Sequence, residues 1–281
     1  MISAADRAAL KNLVYFSIDS VVAGGKTTLK AQLAAFFRSI GANVYEIEEP
    51  VDAWVVHKLL GGFYVSLDEI AVEKSTYISD SMSESEDGGS PPPPALQRKD
   101  FRTKNHGPAM FQMVTYITRL PQFIRQFATA LDSARKNPAI LHVVMSDRSY
   151  LTDMRMFFEM NLEAGNMSEF GERTYRLHYS TMLEIVGHAI PDVAVYLVTP
   201  TEEALVRWAR RRAHDKSRVD ESLPPAYEQA LQDQHEKYFQ EGGMFEGAPV
   251  VRIDGMLPFN TDMIVVAKIA KEILAGAGVK L

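Results

Sequence analysis

The sequence predicts an α/β protein with a five-stranded parallel sheet flanked by helices. Five short apolar runs are spaced along the 281-residue chain, segments of helical periodicity separate them, and a small-residue turn joins the first run to the first helix. Near-continuous apolar runs of about four to eight residues are typical of strands buried on both faces of a parallel sheet. The predicted strands are residues 13–19, 43–48, 140–146, 193–199 and 250–254.

The segments between the predicted strands favour helices. One apolar stripe predicts a helix that ends at Gly41, because glycine commonly follows the last helical turn. A second stripe predicts a longer helix with a kink at Pro121, since proline lacks the amide that continues the helical hydrogen bonds. The stripes are Leu29, Leu33, Phe36 and Ile40, then Met113, Ile117, Leu120 and Ile124. The alternation predicts a doubly wound arrangement with right-handed crossovers.

Composition excludes several classes of protein. Apolar residues make up 46% and charged residues 23% of the chain, an ordinary globular balance. The net charge of −6 disfavours general nucleic-acid binding. No apolar run approaches the roughly 20 residues that cross a bilayer, and the absence of cysteine excludes disulfides and thiolate sites. The N-terminus shows no secretory pattern, so we expect a cytoplasmic protein, with a mitochondrial location as the alternative.

We expect a single domain over residues 1–281 with a flexible insertion at 79–94. The insertion reads SDSMSESEDGGSPPPP, which cannot bury enough apolar surface to offset the loss of chain entropy. The alternative is a phosphorylatable or partner-binding loop, because Ser81, Ser83 and Ser85 lie among acidic residues.

The turn after the first strand is the most informative segment. Residues 16–29 read FSIDSVVAGGKTTL: a strand, a small-residue turn and an amphipathic helix. Amides of such a turn and of the helix N-terminus point at phosphate, a lysine bridges the phosphate oxygens, and a hydroxyl binds Mg²⁺. We call residues 20–28 the phosphate-binding turn. Its expected ligands are Ser20, Ala23, Gly24, Gly25, Lys26, Thr27 and Thr28, with Thr27 on the metal.

One residue departs from the standard turn, which has glycine six residues before the lysine. This chain has Ser20 there. Either the backbone at Ser20 keeps a negative φ and the turn binds phosphate, or the turn is distorted and phosphate affinity falls, because non-glycine residues rarely adopt positive φ.

Further motifs follow in a recognisable order. They are EEPVDAW at 48–54, Phe111-Gln112, Asp147-Arg148-Ser149, the arginine-rich run 207–218, LPPAY at 223–227 and His235-Glu236. With the turn, this set resembles the deoxyribonucleoside kinases, the family of deoxycytidine, deoxyguanosine and mitochondrial thymidine kinases, over residues 13–254 apart from the insertion. The resemblance implies a P-loop kinase fold with an arginine-rich lid, and ATP-dependent phosphorylation of a deoxyribonucleoside 5′-hydroxyl in nucleotide salvage.

The resemblance also implies the catalytic residues. Glu49 would be the general base for the 5′-hydroxyl, with Glu48 as its rival, because alternation along a strand lets only one of the two point into the site. Arg148 would bind the 5′-oxygen and the transferred phosphate, and Lys26 would complete the catalytic set. Asp147 would hold Mg²⁺, since hard oxygen ligands suit that ion. The structural alternative for Asp147 and Arg148 is a plain ion pair at a strand end.

The nucleoside site follows from the same resemblance. Trp54 would wall the pocket, and Gln112, beside Phe111, would contact the base, because one amide offers both a donor and an acceptor. Arg119 lies two turns after Gln112 on the same helix face. Arg119 and Asp153 match family members that accept deoxycytidine and purine deoxynucleosides, so we expect these substrates over thymidine. A surface ion pair is the alternative.

The predicted lid follows the family pattern less closely than the other motifs do. Arg207, Arg211 and Arg212 would close over the ATP phosphates, with Arg218 as a further candidate, because guanidinium groups stabilise charge on phosphoryl oxygens. Residues 214–219 lengthen the lid relative to the family.

The family's acidic contact to the sugar 3′-hydroxyl falls on Asp220 or Glu221. Its tyrosine falls near Phe101, which has no hydroxyl, so either Tyr77 replaces it or discrimination at the 3′ position is relaxed.

The expected ligands are Mg²⁺, ATP and a deoxynucleoside. We expect no nucleic acid or membrane partner. We also expect a homodimer in which two long helices of each subunit form the interface. Two other functions stay open. A catalytically silent accessory subunit, such as the kinase-like subunit of respiratory complex I, is favoured by Ser20, Phe101 and the altered lid. A nucleoside monophosphate kinase is disfavoured, because a carboxylate base suits a hydroxyl acceptor better than a phosphate dianion.

Overall fold

The computed structural model describes residues 10–83, 102–186, 190–214 and 223–279, without the side chains of 77–83. Of the predicted insertion at 79–94, residues 79–83 are the end of a helix and not part of a loop, and residues 84–94 lie outside the described residues. No helix in the described ranges is both long enough and apolar enough to cross a membrane.

The described residues form one parallel sheet in the order β2-β3-β1-β4-β6, with β5 antiparallel to β6. The predicted α/β class is confirmed, and each predicted strand overlaps an observed one. The strand β5 was not predicted because it has only two residues. The strands are β1 (Leu13–Asp19), β2 (Asn43–Ile47), β3 (His142–Asp147), β4 (Val193–Val198), β5 (Met244–Phe245) and β6 (Ala248–Asp254).

Helices cover both faces of this sheet. They are α1 (Lys26–Ser39), α2 (Val51–Val56), α3 (Leu59–Ser83), α4 (Gly107–Lys136), α5 (Tyr150–Thr152), α6 (Glu159–Glu163), α7 (Glu169–Val186), α8 (Thr201–His214), α9 (Pro225–Tyr238) and α10 (Met263–Gly276). Alternate residues of β1 pack on opposite layers: Phe16 contacts the core under α1 and α10, and Tyr15 contacts the core under α4. This double burial explains the continuous apolar character of the strand.

The helix that follows β3 starts with a reciprocal cap. The amide of Thr152 donates to Ser149 Oγ (3.2 Å), and the amide of Ser149 donates to Thr152 Oγ1 (3.3 Å). The segment Asp153–Phe158 is π-helical and joins α5 to α6. Such insertions often occur at functional sites, and this one starts at the predicted base-site residue Asp153.

One prediction about burial is wrong. The strand β2 is an edge strand and is only half-buried, so its apolar run does not mean burial on both faces. In α4, two residues of the apolar stripe that predicted this helix face outward, because Ile117 is 50% exposed and Ile124 is 41% exposed. The opposite face of α4 is buried because it bears the aromatic and polar residues that face the sheet and the cavity described below. The helix continues through Pro121, and its kink stays a prediction.

Candidate active site

A cavity of about 980 Å³ opens at the carboxyl ends of the parallel strands. The volume is typical of small-molecule sites, and ligands of open α/β sheets bind at this edge. The phosphate-binding turn lines one end of the cavity, and α2, α3 and α4 line the other. We therefore take this cavity as the candidate active site.

The phosphate-binding turn is ordered around Lys26, the first residue of α1. Positive φ angles fall at Ala23 (57°) and Gly25 (104°), whereas Ser20 is not among the positive-φ residues of the described chain. The Nζ atom of Lys26 donates to the carbonyls of Val21 (3.1 Å) and Ser20 (3.4 Å). Backbone distortion at Ser20 is therefore absent from the structure.

Most of the predicted turn residues reach the cavity, but one does not. Ser20 is fully buried beneath the turn and is not part of the lining. Its hydroxyl therefore does not face the cavity where a phosphate would lie. The residues that line the cavity are Ala23, Gly24, Gly25, Lys26, Thr27 and Thr28.

The two adjacent glutamates after β2 have different partners. Glu48 forms an ion pair with the buried Lys30 of α1. Glu49 points to the arginines instead: its Oε1 lies 3.4 Å from Arg148 Nε and 3.9 Å from Arg119 NH1. The geometry therefore favours Glu49 over Glu48 as the acid that faces a reacting group.

Arg148 occupies an unusual backbone position directly after β3. Its φ of 61° lies in the left-handed region, which costs free energy in a non-glycine residue and is concentrated at functional sites. Its amide donates to the carbonyl of Ile18 (3.0 Å). The guanidinium lies over Phe157 at 4.7 Å and has Asp19 Oδ1 at 3.8 Å from NH1. This conformation aims the guanidinium between Asp19 and Glu49.

Burial changes the ionisation of the charged groups in this cluster. It raises the pKa of Glu49, an effect to which Asp147 adds, while the nearby arginines and Lys26 oppose it. Burial also lowers the pKa of Lys26, and Arg148 adds to that effect. Asp19, fully buried at the end of β1, has its pKa raised to about 7 by burial against the pull of Arg148. The cluster therefore holds carboxyl groups that accept protons more readily than exposed ones.

Glu228 is a further buried acid near this cluster, although it is not part of the cavity lining. It lies in the first turn of α9, is fully buried, and neither carboxyl oxygen has a hydrogen-bond partner in the described chain. Burial raises its pKa to about 7, although Lys26, Arg148 and Arg211 all favour the charged form. Sequence reasoning missed Glu228 because a glutamate early in a helix carries no distinctive pattern.

The residues present fit a magnesium ion held together with phosphates. Asp147 lines the cavity, is 7% exposed, and its Oδ1 atom has no hydrogen-bond partner in the described chain. Thr27 lines the same wall. Mg²⁺ commonly takes one or two carboxylates, with phosphate and water completing its shell. The described ranges contain no cluster of three or more acidic, histidine or cysteine ligands.

The other end of the cavity is aromatic. Phe111 stacks on Phe63 at 4.7 Å and meets Trp54 edge-on at 5.9 Å. The indole of Trp54 donates to Thr118 Oγ1 (2.9 Å), which holds the ring against α4. Gln112, 2% exposed, lines the cavity beside these rings. Such a wall suits a flat heterocycle with polar edges.

Arg119 and Asp153 are brought together, as the sequence predicted. They form a buried ion pair, with side chains 4% and 2% exposed. The Nε atom of Arg119 also donates to the carbonyl of Thr115 (3.2 Å). Burial raises the pKa of Asp153 and Arg119 opposes it, whereas Asp153 and Glu49 outweigh burial to raise the pKa of Arg119. The pair is no surface ion pair: it forms a rigid polar wall beside Gln112.

The predicted lid arginines take different places. Arg207 and Arg211 line the cavity, and Arg210, which was not predicted, joins them. Arg207 donates to the carbonyls of Gly24 (NH1, 3.2 Å) and Gly255 (NH2, 3.2 Å), and so ties α8 to the turn. The structure does not bring Arg212 to the cavity, because its guanidinium lies over the Trp208 ring at 5.3 Å.

Several predicted contacts lie outside the described residues or side chains. These are Asp220, Glu221, Arg218, Phe101 and the side chain of Tyr77. Residues that sequence reasoning assigned no role also line the cavity, namely Phe63, Tyr64, Phe157 and Tyr227. Only their aromatic character pointed to them, and that is shared with core residues.

Two comparisons bear on this geometry. A family model described as deoxynucleoside kinase matches residues 108–275, more than half of the chain. A solved structure of deoxyadenosine kinase from M. mycoides with bound dATP is similar in fold, with a TM-score of 0.52 and 16% identity, covering 91% of this chain and 98% of that chain. No match was found among curated proteins.

Proposed function

Because this chain belongs to the deoxynucleoside kinase family, a family of phosphotransferases, we propose that it transfers the γ-phosphoryl group of ATP to a deoxynucleoside 5′-hydroxyl. The product would be a 5′-monophosphate for nucleotide salvage, with deoxycytidine or a purine deoxynucleoside preferred over thymidine. One observation carries the proposal: Glu49 faces Arg148 and Arg119 in a cavity with a phosphate-binding turn at one end and an aromatic wall at the other.

Phosphoryl transfer needs positioning and charge neutralisation more than covalent help. The amides of the turn and of the α1 N-terminus favour the triphosphate, and Lys26 and Arg211 add positive charge along the same wall. Mg²⁺, when bound, neutralises charge on the phosphates, and Asp147 and Thr27 would hold it. Arg207 keeps the turn in place through the Gly24 carbonyl.

Glu49 is the group proposed to accept the proton of the 5′-hydroxyl. Burial and Asp147 raise its pKa, and a base with a raised pKa is a stronger proton acceptor once it is ionised. Arg148, 3.4 Å from Glu49, orients the carboxylate and offers its other nitrogens to the transferred phosphate.

The preference for the base rests on the buried ion pair. Arg119 and Asp153 form a buried pair in the lining that also contains Gln112, and this pair would crowd a thymine methyl group and offer hydrogen bonds to cytosine or to a purine. A hydrophobic pocket would reject a methyl group only weakly, whereas a buried polar pair left without partners discriminates strongly.

The two alternative functions have less support. A silent accessory subunit does not need the strained Arg148 backbone or the cluster of Lys26, Glu49 and Arg148 on one wall. A monophosphate kinase is disfavoured because the carboxylate Glu49 suits a hydroxyl acceptor better than a phosphate dianion.

Glu49 is tested by comparing two neighbouring variants. We expect Glu49→Gln to lower kcat by about 10²–10⁴-fold, the size of a general-base contribution, while ATP binding by calorimetry persists. Glu48→Gln, which loses only the pair with Lys30, is expected to lower kcat less than about tenfold. Equal losses in both variants would remove Glu49 as the base, and a wild-type protein inactive on all deoxynucleosides would remove the proposed function.

The raised pKa of Glu49 also predicts the acid limb of the pH profile. Because protonation removes the base, kcat/KM falls as the pH drops through a pKa above the ordinary value of a glutamate. The measurement is kcat/KM between pH 4.5 and 9 for wild type and Glu49→Gln. A profile with the same acid limb in the variant would assign that limb to another group.

A homodimer is supported by two exposed apolar stripes. Residues spaced by seven lie on adjacent helices that pack together: Met110, Ile117 and Ile124 on α4, and Phe170 and Leu177 on α7. Exposed apolar side chains grouped on two neighbouring helices typically mark an interface. We expect Leu177→Arg, at a side chain 70% exposed, to give a monomer by light scattering. Ile264→Arg, at a position 68% exposed on α10, is the matched control and stays a dimer.

A further inference from the structure

Ser20 and Gly24 occupy the same small space in the phosphate-binding turn. A Cβ atom built on Gly24 would lie 2.0 Å from Ser20 Oγ and 3.0 Å from Ser20 Cβ. A contact of 2.0 Å requires something to shift, and 3.0 Å to Cβ is tighter than nearly all real contacts, so an alanine at position 24 would force the Ser20 side chain to move. The serine side chain thus fills the volume that a side chain at position 24 would otherwise take.

Backbone conformation does not explain the glycine at position 24. The turn takes its positive φ angles at Ala23 (57°) and Gly25 (104°), and Gly24 is not among the positive-φ glycines. An L-residue could adopt the backbone of Gly24 without strain. The requirement for glycine there comes from crowding, mainly by the Ser20 side chain, and the Val21 carbonyl oxygen lies 3.2 Å from the added Cβ.

A shift of the turn that relieved this clash would disturb hydrogen bonds at both residues. The carbonyl of Gly24 accepts hydrogen bonds from Thr199 Oγ1 (2.7 Å) and from Arg207 NH1 (3.2 Å). The carbonyl of Ser20 accepts one from Lys26 Nζ (3.4 Å), and Ser20 itself is fully buried. Moving either residue would disturb Lys26 or Arg207, which hold the phosphate end of the cavity together.

We propose that Ser20 and Gly24 form an interdependent pair in which Ser20 is a positioning residue for the nucleotide site. The serine departs from the standard glycine at that position, and the glycine four residues later compensates for it. The turn therefore keeps a phosphate-binding shape, with a side chain at position 20, where the standard turn has glycine, and none at position 24. The ligand assigned to this turn rests on the proposed function, whereas the steric pairing does not.

The test is a double-mutant cycle with two readouts. The variants are Gly24→Ala, Ser20→Gly and the combination of both, each compared with wild type. The first readout is the Tm of the free protein, which requires no ligand. The second is the KM for ATP in the kinase assay, together with ATP affinity by calorimetry.

We expect Gly24→Ala to raise the KM for ATP by at least about tenfold and to lower Tm, because overpacking in a closely packed region is destabilising. Adding Ser20→Gly is expected to restore both quantities to within about threefold and a few degrees, since the clashing hydroxymethyl group is gone. Ser20→Gly alone leaves a small cavity and has the weaker effect of the two single variants.

The control is Gly62→Ala in α3, where an added Cβ would meet nothing within 4 Å. It should keep Tm within about 2 °C, since a helical glycine-to-alanine change in open space is tolerated. If Gly24→Ala behaves like Gly62→Ala, or if the double variant is no better than Gly24→Ala, the pairing is refuted. If Gly24→Ala fails to fold, recovery of folded protein in the double variant supports the pair and continued failure refutes it. Rescue of Tm in a protein that binds no ATP would support the pair and refute the proposed function.

Discussion

The two ends of the cavity differ in whether their buried charged groups are paired within the protein. At the aromatic end, Arg119 and Asp153 are both almost fully buried and neutralise each other. At the phosphate end, Asp147 Oδ1 and both carboxyl oxygens of Glu228 have no hydrogen-bond partner in the described chain, and burial lowers the pKa of Lys26. One end is electrostatically complete within the protein, and the other is not.

This difference indicates what each end does. A completed ion pair is rigid and can select a base by shape and hydrogen bonding, because no protein group must reorganise when a ligand binds. Buried polar atoms without partners cost free energy, and they are retained where a function requires them. The phosphate end therefore has the character of a site that acquires its full set of charges from a polyanion and a cation.

The largest effect is expected at Lys26. Lys26→Met should lower kcat by about 10³-fold or more, because a cation placed on the transferring phosphates contributes that much in phosphoryl transfer. Lys30→Met, at a buried lysine one turn later in α1 that pairs with Glu48, is the matched control. It should reduce Tm but change kcat by only a few-fold. If Lys26→Met and Lys30→Met lost kcat to a similar extent, the loss at Lys26 would reflect reduced stability and not a role on the phosphates.

The next largest effect is expected on the free energy of unfolding, at the buried ion pair between Arg119 and Asp153. Arg119→Met leaves Asp153 buried without its partner, and breaking such a pair costs about 3–5 kcal/mol of unfolding free energy. Combining it with Asp153→Ala should recover much of that stability, because no uncompensated charge remains. The double variant should also raise the ratio of kcat/KM for thymidine to that for deoxycytidine by at least about tenfold. If the ratio of kcat/KM for thymidine to that for deoxycytidine did not change, the Arg119–Asp153 pair would have no role in selecting the base.

The smallest effect is expected in the dependence of stability on pH. Glu228 has a pKa raised to about 7 in the folded protein, so its favourable contribution is complete below the unfolded pKa and is lost as the pH rises toward 7. Glu228→Gln should therefore reduce the fall in unfolding free energy between about pH 5 and 7 by at most ~1.4 kcal/mol per pH unit. Asp19, with a similar pKa, keeps part of the slope in the variant.

The measurement is urea unfolding at several pH values. Asp233→Asn, at an exposed position of the same helix, is the control and should leave the slope unchanged. A wild-type slope in Glu228→Gln would mean that Glu228 is ionised in the folded protein and that the phosphate end is electrostatically more complete than its geometry indicates.

Much of the fold and part of the site could be predicted because the signals are local. The β1 strand, the turn and the start of α1 are consecutive, so periodicity and the spacing between Ser20 and Lys26 identify them directly. The inward face of α4 could not be predicted, because Ile117 and Phe123 both lie on apolar faces and only packing against the sheet selects one. The same limit applies to Arg212, which stacks on Trp208 instead of reaching the cavity.

Local patterns in the chain were enough to predict the parallel sheet, the position of the phosphate-binding turn and the charged residues after β2 and β3. These depend on runs of a few residues, whose conformation follows from burial and backbone geometry. Packing between distant segments was needed to show that Glu49 faces the arginines while Glu48 pairs with Lys30, and that Gly24 makes room for Ser20. Both outcomes depend on which side chains compete for one volume or one counter-charge, and the folded chain alone brings those competitors together.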